Sequence, residues 1–152
     1  MQFAGEIGAY SMGVTKKIKS WYELSFLFGV TPRSVSKTKS IETFSFKQDF
    51  FFLTKDLDGL TTRLYIGVNI FHTTGLKHQA SKFRDTPSGY YPINSIRGLL
   101  ALGLQVSLPE RPQNSYFFEM GMNDIWIVNS FINKSIKPSD YISMALGFNF
   151  NF

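Results

Sequence analysis

The sequence predicts an all-β fold, an antiparallel up-and-down transmembrane β-barrel of about eight strands in one domain spanning residues 1–152. Three observations predict it. Apolar residues recur at every second position in segment after segment, the period of a strand whose two faces meet different surroundings. The apolar runs continue for about nine to eleven residues before a turn, the length a tilted strand needs to cross a hydrocarbon layer. The opposite face is built from Gly, Ala, Ser, Asn and a few charges. A solvated exterior would carry long Lys, Glu and Arg there, whereas a narrow lumen needs small side chains.

Seven strands can be read in chain order. In 4–14, Tyr10, Met12 and Val14 oppose Ala9, Ser11 and Gly13. In 22–30, Tyr22, Leu24, Phe26, Phe28 and Val30 alternate with Glu23, Ser25, Leu27 and Gly29. In 42–52, the row Phe44, Phe46, Phe50, Phe52 is broken by Gln48, and the other face carries Ser45, Lys47 and Asp49. In 64–72, Leu64, Ile66, Val68 and Ile70 stand against Tyr65, Gly67, Asn69 and Phe71. The strand 96–108 sets Leu100, Leu102, Leu104, Val106 and Leu108 against Ala101, Gly103, Gln105 and Ser107. In 116–124, Tyr116, Phe118, Met120 and Met122 oppose Phe117, Glu119, Gly121 and Asn123. The last, 141–152, places Ile142, Met144, Leu146, Phe148, Phe150 and Phe152 on one face. Polar segments rich in turn residues separate them: "TKKIKS", "TPRSVSKTKS", "KDLDGLTT", 73–94, "PERPQNS" and "NKSIKPSD". None of these reads as a helix, so neighbouring strands run antiparallel.

Composition excludes several classes. No stretch approaches the ~18 consecutive apolar residues of a membrane-spanning helix. The chain has no cysteine, which removes disulfides, thiolate catalysis and Cys-based zinc sites. Its two histidines, His72 and His78, have no metal-ligand spacing, and no cofactor is expected. The charge of +5 suits an anionic surface such as phospholipid, lipopolysaccharide or nucleic acid. Nucleic acid is disfavoured because no RNP-like or OB-fold motif accompanies the basic and aromatic residues.

The same alternation also fits a soluble barrel or sandwich, its apolar face inward around an apolar ligand. Aromatics near run ends (Trp21, Tyr22, Tyr90, Tyr91, Trp126 and Tyr141) favour the inside-out arrangement, since such girdles form at membrane interfaces. The ending "YISMALGFNFNF", an alternating strand closed by Phe152, resembles the C-terminal signature of bacterial outer-membrane β-barrel proteins. The resemblance implies that the barrel assembly machinery recognises Phe152. It further implies a home among outer-membrane lipid and lipopolysaccharide, and a place with the small, eight-stranded members of the class.

With Phe152 at the periplasmic end, the longer connections fall outside and mostly shorter ones inside, but seven strands leave residue 1 outside and the count odd. Three repairs are open. An N-terminal strand is absent from this sequence, which the missing signal peptide in "MQFAGEIGAY" would accompany. A poor strand lies in 76–84, "LKHQASKFR". Or another outer-membrane protein chain completes the barrel. The first is preferred.

Inside, Lys47, Asp49, Arg97, Gln105 and Glu119 are expected to form a hydrogen-bonded plug, so that the barrel conducts nothing. At the outer rim Lys77, Lys82 and Arg84 are placed to meet lipid phosphates. "NIFHTTGLKHQ" is similar to the His-x-Ser-Asn-Ala-Gly segment of outer-membrane lipid A 3-O-deacylases. That similarity implies His72 as general base and Thr74 in the nucleophile's place, both on the lipid-facing parity. Thr replaces Ser, Asn-Ala is missing, and the segment lies far from the C-terminus. A structural or interaction role is therefore the expectation, with the hydrolase second and a soluble apolar-ligand barrel third.

Overall fold

The computed structural model of the chain describes residues 1–3, 7–36, 40–57, 59–74, 96–124, 127 and 142–150. Within these, eight antiparallel strands close into a barrel in chain order: β1 Gln2–Phe3, β2 Tyr10–Lys19, β3 Tyr22–Thr31, β4 Ile41–Leu57, β5 Leu60–Thr74, β6 Ile96–Leu108, β7 Arg111–Asn123 and β8 Ser143–Asn149. The only described helix of any length is one turn, α1 Arg33–Ser36, where the amides of Val35 and Ser36 donate to the Pro32 carbonyl.

The alternation decides which side chains line the interior. On β4, Thr43, Ser45, Lys47 and Asp49 are buried, while Phe44 and Phe50 are exposed. On β7, Ser115, Phe117 and Glu119 point in, and Tyr116, Phe118 and Met120 point out. The barrel is thus inverted relative to a water-soluble one. Val14 is 71% exposed, Met12 62% and Leu146 60%, whereas Lys47 and Glu119 are among the buried residues.

The strand count needs correction. The eighth strand is not absent but is the two-residue β1, which pairs with β2 and with β8 and closes the ring within this chain; the segment 76–84 lies outside the described residues. The predicted strand 4–14 begins only at Tyr10. Ahead of it Ile7 is buried and its carbonyl lies so close to Gly29 that a Cβ there would clash. Met1 consequently lies in the wall, its amino group donating to the Phe148 carbonyl at 2.7 Å, and not beyond the outer end. Two-residue alternation could not reveal β1, because a pair of residues has no period.

Several segments read as turns are strand. "TKKIKS" belongs to β2 up to Lys19, "KDLDGLTT" splits between β4 and β5 around residues 58–59, and β7 starts at Arg111 inside "PERPQNS". These hairpins close on two residues each, and Gly59 supplies the positive φ of +86° that such a turn requires. At one end of the barrel every connection between consecutive strands is that short; at the other the chain returns through 4–9, 32–40, 75–95 and 124–142.

Candidate functional site

The interior is the most chemically organised part of the molecule. Strand parity sends Lys47 inward between Ser25 of β3 and Asn69 of β5, its register partners. Its ammonium lies 3.1 Å from Asp49 Oδ2 and also pairs with Glu119. The Tyr65 hydroxyl donates to Glu119 Oε1 at 2.7 Å, and the rings of Tyr65 and Phe117 lie 5.2 and 5.0 Å from the Lys47 nitrogen. Burying an ammonium is tolerable only with such partners.

One layer toward the short-turn end, Arg63 holds a second cluster. Its Nη1 donates to Glu23 Oε1 at 2.7 Å and to Gln105 Oε1 at 3.2 Å, and its Nη2 donates to the Ser20 carbonyl at 2.7 Å. The guanidinium carbon stacks 3.4 Å from the Phe51 ring centroid, and Gln105 passes the chain on by donating to Ser115 Oγ at 2.6 Å. Toward the other end, Ser45 donates to Asn69 Oδ1 at 2.5 Å. Across the two charged layers, the cations Lys47 and Arg63 face the carboxylates Glu23, Asp49 and Glu119.

Space for these groups comes from glycine. Gly103 stands directly across from Tyr65, and a Cβ there would run into the phenol ring; Gly147 stands across from Phe117 in the same way. Each ring lies over its glycine neighbour and fills the lumen sideways.

The structure brings together Lys47, Asp49 and Glu119, with Gln105 in the adjacent layer. Arg97 is elsewhere, paired with Asp124 at 3.9 Å near the long-loop end. Sequence reasoning missed Glu23, Arg63 and Tyr65 as members. The available signal was parity: Arg63 is two residues before Tyr65 and so shares its inward face, although it was assigned outside the strand.

His72 and Thr74 both point outward on β5, at its long-loop end. His72 is exposed and in register with Phe44 and Ile96. The Thr74 hydroxyl donates to the Glu42 carbonyl at 3.3 Å. Beneath His72 the wall forms an apolar groove along Phe26, Phe28, Phe44, Phe46 and Ile70. The described residues contain no cluster of three or more metal-ligating side chains. Lys77, Lys82, Arg84 and Phe152 lie outside the described residues. Comparison of the chain with family models, with curated proteins and with solved structures finds no match.

Proposed function

We propose that this chain is a small integral β-barrel of a bacterial outer membrane, with a structural or interaction role and a lumen closed to solutes. One observation carries the proposal: large apolar side chains line the outside of strand after strand, from Met12 and Val14 on β2 to Met144 and Leu146 on β8, around a charged interior. Exposed apolar surface that surrounds a whole molecule is unsustainable in water but is what a bilayer solvates. An apolar-ligand carrier needs the opposite arrangement, and here its cavity would be lined by Lys47, Asp49 and Glu119. The loops at the long-connection end would then contact lipopolysaccharide or a partner protein, with the short hairpins on the periplasmic side.

Refolding into phospholipid vesicles tests this. The folded protein should migrate faster than the boiled one on a gel and float with the vesicles. Folded, monodisperse protein in detergent-free buffer would overturn it.

A further inference from the structure

The outer wall is not apolar throughout. On β2 the outward series Met12, Val14 continues as Lys16, and past the bulge between Lys17 and Lys19 the ladder puts Lys19 across from Tyr22. Lys16 and Lys19 are exposed, and neither has a carboxylate partner among the described residues. Lys19 Nζ lies 5.2 Å from the ring centroid of Trp21, which packs in turn on Tyr22 at 5.8 Å and Phe50 at 6.4 Å. Gln48 of β4 shares the outward row of Lys16, with Leu24 of β3 between them. The Tyr22 hydroxyl donates to Gln48 Oε1 at 3.0 Å, which turns the amide nitrogen away from the phenol. That nitrogen makes no hydrogen bond among the described residues, so its two N–H donors stand on the outer wall with the two ammonium groups. Farther round the barrel the same two rows continue as Val68, Leu100 and Met122 and as Ile66, Leu102 and Met120. The donors are thus confined to β2, β3 and β4, near the short hairpin that joins the first two.

We propose that this patch holds the phosphate of one anionic phospholipid, drawn from the leaflet at the short-hairpin end. Charge complementarity selects the headgroup: two ammonium groups and an amide N–H converge where a phosphate offers several acceptor oxygens. Trp21 and its stacked neighbours supply the aromatic floor that suits the headgroup level of a bilayer. The wall above selects the rest of the molecule. One outward row nearer the long-loop end stand Val14, Phe26 and Phe46, which line the apolar groove described beneath His72. A phosphate joined to hydrocarbon chains occupies both the donors and the groove, whereas inorganic phosphate or an acidic peptide matches only the first. The inference rests on the outer-membrane proposal, because a donor such as the Gln48 amide is costly against hydrocarbon and harmless against water.

Tryptophan quenching tests this at the patch itself. In the full chain carrying Trp126→Phe, Trp21 is the one tryptophan left. It is folded into phosphatidylcholine vesicles that hold an equal small fraction of either phosphatidylglycerol or phosphatidylcholine, brominated near the headgroup end of the acyl chains. Quenching of Trp21 should report at least about five-fold tighter association of phosphatidylglycerol, the factor that one well-placed lysine supplies at a membrane surface. Lys16→Gln with Lys19→Gln should bring the preference to near unity. Gln48→Leu should lower it about two-fold or more with no change of net charge, as the loss of one hydrogen bond does. Lys55→Gln, which removes a charge from β4 at the same end of the barrel, should leave it unchanged. Equal quenching by the two lipids would overturn the proposal. So would a preference that Lys55→Gln lowers as much as Lys16→Gln does, since that is the mark of surface charge alone. Flotation is scored on the same vesicles. A chain that floats without preference loses only the lipid site, and one that does not float loses the membrane reading and the lipid site together.

Discussion

Lys47 is the residue on which most of the interior depends. Its ammonium is shared between Asp49 and Glu119, with Tyr65 closing the group by its bond to Glu119. Removing one partner of a buried ion cluster leaves uncompensated charge, so Lys47→Met should cost about 3–5 kcal/mol. Adding Asp49→Asn and Glu119→Gln should recover most of that loss. Urea unfolding in vesicles, read by the gel shift, measures both; an additive triple variant would contradict the pairing. His72 is a different case. It stands exposed on the outer wall, and the Thr74 hydroxyl donates to the backbone carbonyl of Glu42. His72→Ala should leave the acyl composition of the host's lipid A unchanged by mass spectrometry, and a shift by one acyl mass would establish the hydrolase instead. The sequence made Lys47, Asp49 and Glu119 legible because each lies within a long alternating run. Arg63 was hidden by the polar residues around it, since a ladder that continues past the apolar band looks like a turn when only hydrophobicity is read. Arg97 shared the right face but lies too near the strand's end to reach Lys47, and its carboxylate partner is Asp124.

At the scale of the element, glycines opposite rings set the barrel's internal shape. Tyr65 lies over Gly103, its direct partner across β5 and β6. Gly103→Ala should therefore displace the ring from Glu119 and cost about 1–3 kcal/mol, as overpacking does. Combining it with Tyr65→Leu should cost less than the sum of the two, because the clash and the ring vanish together. Thermal unfolding of the four proteins in one detergent decides this. Irregularity explains what alternation could not supply. Phe52 is the extra residue of a bulge between the pairs Phe51–Tyr65 and Leu53–Leu64, so Phe52 and Leu53 are both exposed while Phe51 is buried. A strict two-residue period cannot represent that. Nor can it represent β1, whose two residues close the ring through backbone pairing alone.

For the whole molecule, the proposal that the outer wall faces lipid makes a direct prediction at its centre. Leu102 lies outward in the middle of β6, between Ile66 of β5 and Met120 of β7, with both neighbours exposed as it is. In a bilayer, Leu102→Arg should cost about 2–4 kcal/mol, while a water-exposed wall would absorb the same change at no cost or gain solubility from it. Fold class and the sense of inversion were visible in the sequence because every long strand repeats the same contrast of faces. The position of closure was not, since it depends on two residues. The most direct measurement is the location of the chain after cell disruption and alkaline washing of the membranes. Retention in the washed outer-membrane pellet, with release by detergent and a heat-dependent gel shift, is the predicted result. Recovery of folded chain in the soluble fraction without detergent would contradict a lipid-facing wall.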